Sequence, residues 1–128
     1  MKTININDSI SALLTKYSAF YAFNTEQFSA KADNKFKYKA LGAGLYCPII
    51  NANLLVTAMK ALTASRIKFE LENNTPKQIM TYLFDNYECY YTGDYSDVYE
   101  ELKDYGFSDE LIEEIWEKYC IAKYEGDF

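Results

Sequence analysis

The chain contains no histidine. That absence removes the side chain most often used as a general base near neutral pH, and the commonest nitrogen ligand for metals. Cysteine is also scarce. Cys47, Cys89 and Cys120 lie 42 and 31 residues apart, an odd count with no C-x-x-C spacing. Neither a disulfide framework nor a zinc site fits that arrangement. A nucleophilic cysteine would lack the histidine that usually activates it. The three read as buried, reduced thiols of a cytoplasmic protein. No stretch approaches the ~18 consecutive apolar residues of a membrane span. The opening MKTININDSI lacks the apolar core of a secretory signal. Glycine and proline number only five and two, and no phosphate-cradling loop is built from them. The G-x-G at 42–44 has no third glycine, and Pro48 follows where a helix should open. A nucleophile elbow and a Walker loop are also missing. The expectation is a protein without a metal, without a cofactor and without enzymatic activity.

What is present is divided unevenly. Residues 1–84 hold ten Lys/Arg and five Asp/Glu, whereas residues 85–128 hold three Lys and fourteen Asp/Glu. The two halves, about +5 and −11, give the net charge of −6. Eight of the thirteen tyrosines fall in the acidic part. With nearly half the residues apolar and a quarter charged, the chain is globular. Its 128 residues suit a single globular domain, 1–128, with a core of its own.

The periodicities predict a mostly helical α+β fold with a small antiparallel hairpin or three-stranded sheet. A first helix, capped by Asn7 or Asp8, carries Ile10, Leu13, Leu14, Tyr17, Phe20 and Tyr21 on one stripe. Asn24 with Gln27 three residues on predicts a capped short helix over 25–32, with Phe23 stapled to Phe28. Lysines alternating with apolar residues over 35–41, the turn Gly42-Ala43-Gly44 and then 45–48 predict a hairpin. A helix from about Asn53 is expected to bury Leu54, Leu55, Ala58, Met59 and Leu62. Residues 66–72 alternate like a strand, but no breaker precedes them, which favours continued helix. Thr75-Pro76 opens the next helix, with Ile79, Leu83 and Tyr87 on its apolar face. Residues 88–92 read as a third strand. Ser96 caps a helix that ends at Gly106, and Ser108 caps the last one, with Phe107 stapled to Ile112. Leu111, Ile112, Ile115, Trp116 and Tyr119 form its core stripe, opposite Asp109, Glu110, Glu113, Glu114 and Glu117.

Two surfaces stand out as binding candidates. The first is Tyr90, Tyr91, Asp94, Tyr95, Asp97, Tyr99, Glu100, Glu101 and Asp104. Tyrosines among carboxylates suit an Arg/Lys-rich protein partner with a basic groove, through cation–π contact and hydrogen bonding. The same carboxylates do not meet the spacing of a calcium loop, because Gly93 precedes Asp94 instead of following a run of acids. The second surface is Lys31, Lys35, Lys37 and Lys39, the one basic cluster, which also reads as the solvated face of an edge strand. The acidic balance of the whole chain opposes direct nucleic-acid binding.

Four segments, FYAFNTEQF at 20–28, LGAGLYCP at 41–48, ECYYTGD at 88–94 and DYGFSDELI at 104–112, together resemble a family of small, uncharacterised phage and prophage proteins. The resemblance spans about residues 17–119 and carries no functional residues with it. The broader character, small, acidic and aromatic-rich, is similar in type to phage inhibitors of host defence, anti-CRISPR proteins among them. The expected function is inhibition of a host nucleic-acid enzyme, specifically an RNA-guided nuclease, through the acidic tyrosine surface. The alternative is a self-associating phage structural or assembly accessory.

Overall fold

A computed structural model of the chain describes residues 1–126. The fold is mostly helical α+β with one small antiparallel sheet. The chain divides into two compact units: a sheet unit, Asn5–Arg66, and a helical unit, Met1–Ile4 with Ile67–Phe128.

In the sheet unit, helix α1 spans Asn7–Lys16. Its cap position is Ile6, without a side-chain cap bond, so neither Asn7 nor Asp8 caps it. Asn5 supplies the local bond instead, its Oδ1 accepting from the Asn7 N–H at 2.8 Å. The helix stops because Ser18 takes a left-handed conformation, φ 59°. Phe20 and Tyr21, expected on the helical stripe, therefore leave it and form strand β1 (Phe20–Tyr21). Asn24 caps α2 (Thr25–Lys31) as its sequence predicts, accepting from the Gln27 N–H at 2.8 Å. The expected Phe23–Phe28 staple gives way to other contacts. Phe23 is 73% exposed and stacks on Tyr21, while Phe28 packs edge-on against Tyr38 and Tyr46.

The hairpin forms as expected from β2 (Tyr38–Gly42) and β3 (Leu45–Pro48), and the sheet order is β1-β3-β2. Phe20 lies opposite Tyr46, and Ala40 lies opposite the same residue on the other side. Gly42, Ala43 and Gly44 all have positive φ. Gly44 is required twice over, since a Cβ there would strike the Phe23 ring as well as strain the backbone. Helix α3 (Ile49–Asn73) begins directly after Pro48, four residues before the expected start at Asn53. The Ile49 N–H is already satisfied by the Lys37 carbonyl, 2.8 Å away. The earlier start goes with a different inward face. Ala52 and Leu55 are buried with Cys47, whereas Leu54, expected inside, is 57% exposed. Leu13, Leu14, Tyr17 and Met59 complete this small core.

Helix α3 continues through residues 66–72, as the lack of a breaker predicts, and contributes Ile67–Asn73 to the helical unit. There Glu70 is 1% exposed. Its carboxylate accepts from the Tyr105 hydroxyl at 2.5 Å and the Thr3 hydroxyl at 2.7 Å. Helix α4 (Pro76–Asn86) opens with a reciprocal capping box between Thr75 and Gln78. It buries Ile79, Met80, Leu83 and Phe84, and Tyr87, expected on that face, is instead an exposed C-cap.

Residues 88–92 are not a strand. Cys89–Thr92 form a single helical turn, α5, bracketed by left-handed Glu88 and Gly93. The turn satisfies its own backbone, with the Tyr91 and Thr92 N–H groups donating to the Glu88 carbonyl. A 3-10 turn, Ser96–Val98, leads into α6 (Tyr99–Asp104). Ser96 is therefore not the cap; Asp94 organises the turn, its Oδ1 accepting from the Ser96 N–H and hydroxyl. Gly106, φ 86°, closes α6 as predicted. Ser108 caps α7 (Asp109–Gly126) as predicted, accepting from the Leu111 N–H at 3.2 Å. Phe107, Ile112, Ile115 and Tyr119 are buried in one core with the apolar face of α4, and Leu111 and Trp116 pack half-buried against it.

Candidate functional site

The tyrosine–acid segment acquires a definite geometry in the helical unit. Tyr95 donates its hydroxyl to Glu113 at 2.6 Å, and Tyr99 donates to Asp109 at 2.7 Å. Both acceptors lie on the exposed face of α7. Tyr87 donates to Glu101 of α6 at 2.5 Å. Asp109 also receives the Lys103 ammonium at 3.2 Å. The Tyr95 and Tyr99 rings remain half-buried, with Tyr95 edge-on to Trp116 at 5.4 Å, whereas Tyr87 is exposed. Tyr95 and Tyr99 each tie a carboxylate to the core beneath them, and Tyr87 ties the end of α4 to α6.

Electrostatics follow from those bonds. The bond to Glu113, reinforced by burial, pushes the Tyr95 phenol up to about 12. Bonds to Asp109 and to Glu101 raise Tyr99 and Tyr87 in the same way. Asp109 is held below its ordinary value by the Tyr99 hydroxyl first and then by Lys103. Asp94 is lowered by its two bonds from Ser96.

The candidate residues thus separate by role. Tyr95, Tyr99, Glu101 and Asp94 are engaged in internal hydrogen bonds. Tyr90 packs against the core and meets the Tyr91 ring edge-on at 5.6 Å. Tyr91 itself is 80% exposed. Asp97, Glu100 and Asp104 are exposed and join no ion pair among the described residues. The structure adds Tyr87, Asp109 and Glu113 to the network. In the sequence Tyr87 reads as core and the two acids as a solvated helix face, because hydroxyl and carboxylate lie 10 to 18 residues apart.

The lysine surface is less coherent. Lys31 donates to the Tyr21 carbonyl at 2.6 Å, bracing strand β1, and Lys35 pairs with Asp33 at 3.6 Å. Of the FKYK run only Tyr38 and Lys39 lie in β2, an edge strand. Its pleat directs those two side chains to opposite faces.

Cys47 and Cys89 are buried and Cys120 half-buried; all three are free thiols whose ionisation burial opposes. No group of three or more His, Cys, Asp or Glu is arranged to hold a metal ion among the described residues. No helix among them is long and apolar enough to cross a membrane.

Fold and surface together define a mostly helical α+β protein bearing a braced, acidic tyrosine face. The chain belongs to DUF7659, a family of unknown function, whose pattern matches residues 2–122. No curated protein and no solved structure matches it.

Proposed function

We propose that this protein is a non-enzymatic binding protein whose acidic tyrosine face docks into the basic groove of a protein partner. The observation that carries the proposal is the separation of roles on that face. Tyr87, Tyr95 and Tyr99 hold carboxylates in place, while Tyr91, Asp97, Glu100 and Asp104 stay free for contact. The braced acids Glu101, Asp109 and Glu113 keep the face pre-ordered at little entropic cost on binding, and an exposed tyrosine is a favoured anchor. Basic grooves belong above all to enzymes that hold phosphate backbones. The finer proposal is a cytoplasmic inhibitor of phage or mobile-element origin acting on a host RNA-guided nuclease. The test is affinity capture from a bacterial lysate, followed by cleavage assays with the captured nuclease. Inhibition lost in Asp97→Lys/Glu100→Lys/Asp104→Lys supports the proposal; capture of no nucleic-acid enzyme overturns its finer form.

A second proposal, self-association as an assembly accessory, rests on α3 of the sheet unit. Ile50 and Leu54 are 75% and 57% exposed there, one helical turn apart. Sedimentation velocity decides it: a dimer dispersed by Ile50→Lys supports self-association, and a monomer at all concentrations ends it.

A further inference from the structure

The acidic helical unit contains one place where lysines gather. A cavity of about 350 Å³ is lined by α4 and α7. Lys77 reaches it from the first turn of α4, and Lys118 and Lys123 from α7. The spacing explains the convergence. Lys77, Thr81 and Asp85 recur every four residues on α4, and Ile115, Lys118 and Ala122 recur every three or four on α7. Ile115 and Tyr119 are buried and form an apolar floor, along which lysine stems can lie with their charges outward.

Among the described lining residues of this cavity, lysines outnumber carboxylates. Asp85 is the one carboxylate among its described lining residues. It is already occupied, accepting from the Tyr119 hydroxyl at 2.7 Å and pairing with Lys123 at 3.3 Å. Lys118 pairs with Glu114 at 3.0 Å, but both are exposed, so the pair is weak. Lys77 joins no ion pair among the described residues. Lys77 and Lys118 face one concavity, and an anion placed between them would be held by both ammonium groups. The acids elsewhere on the unit oppose a long polyanion, which selects a small one. The volume lies near the lower end of small-ligand sites, roughly 300–1,000 Å³. We infer that the groove between α4 and α7 binds a small amphipathic anion. Its carboxylate or phosphate head would sit at Lys77 and Lys118, and its hydrocarbon body on Ile115 and Ala122. The groove shares no residue with the partner-binding face, so either can fail alone.

The test is isothermal titration of the full chain with sodium octanoate, octyl phosphate and octyltrimethylammonium. Expected is one-to-one binding of at least one anion and none of the cation. Binding of octanoate alone identifies a carboxylic acid as the natural head group, and binding of octyl phosphate alone a phosphate monoester. Lys77→Gln should weaken the anion about tenfold. Ala122→Trp should abolish it by filling the groove, with an unchanged circular dichroism spectrum. If that variant unfolds, Lys77→Glu, on the surface, takes its place. Three results would each overturn the site: no anion binding, equal binding of the cation, or anion binding indifferent to the substitutions.

Discussion

Glu70 sits in a place that its chemistry resists. A carboxylate loses several kcal/mol of hydration when buried, and it persists inside only with hydrogen-bond donors around it. Tyr105 and Thr3 are two such donors. Tyr105→Phe removes one of them and should cost about 1–3 kcal/mol, read from the urea midpoint. An unmoved midpoint would mean that water replaces the hydroxyl. Tyr95 makes a second prediction, in alkali. Its phenol titrates near pH 12 in the fold, above the ordinary value of 10. The fold therefore favours the neutral form. That stability is fully present below pH 10 and disappears as pH climbs through 12. Phenolate absorbance at pH 11 should be lower in the native protein than in denaturant, and lower in wild type than expected for thirteen free tyrosines. Tyr95→Phe should narrow the difference.

Among the elements, α7 and the hairpin make the sharpest demands on side chains. The Trp116 ring centre lies 5.0 Å from that of Phe84 and 5.4 Å from that of Tyr95, and the residue is half-buried. Trp116→Ala should cost about 3 kcal/mol, the low end for a large aromatic, because the site is only partly enclosed. A denaturation curve superimposable on wild type would remove Trp116 from the core. The glycines separate two costs. Gly44 and Gly93 have similar φ, 81° and 86°. A Cβ at Gly93 meets nothing within 4 Å, while at Gly44 it meets the Phe23 ring. Gly93→Ala should cost about 1 kcal/mol from backbone strain alone. Gly44→Ala should cost more, because Phe23 must leave its stack on Tyr21. In a Phe23→Ala background the two costs should converge. A persisting gap would locate the extra cost in the turn itself.

At the scale of the whole molecule, charge is the organising quantity. The acid-rich part holds fourteen carboxylates against three lysines, so its field extends over a Debye length of about 8 Å at physiological salt. With the captured partner, association should slow as salt rises. Reversing Asp97, Glu100 and Asp104 should flatten that dependence and leave dissociation nearly unchanged. Tyr91→Ala should do the opposite, speeding dissociation with little effect on association. Glu101 is best left alone in this experiment, since it accepts the Tyr87 hydroxyl and its loss would disturb the network. If association ignores the acids and depends on Lys37 and Lys39, the polarity of the interaction is reversed.

The sequence alone determined what short-range chemistry controls. Asn24, Thr75 and Ser108 cap the helices their side chains can reach, and Gly106 ends α6, because those bonds close within three or four residues. The turn of the hairpin, the helical identity of residues 66–72 and the separation of charge were legible for the same reason. Tertiary structure decided what depends on distant partners. Phe20 and Tyr21 carry a spacing compatible with helix, and only the edge offered by β3 makes them a strand. Residues 88–92 have the aromatic content of a strand, but close into a helical turn that satisfies its own backbone. Most of all, the acidic tyrosine segment announced itself by composition without saying which tyrosines were free. A hydroxyl is available to a partner only when no carboxylate of its own chain lies at hydrogen-bond distance. For Tyr95 and Tyr99 those carboxylates come from α7, brought within reach by the packing of the core beneath them.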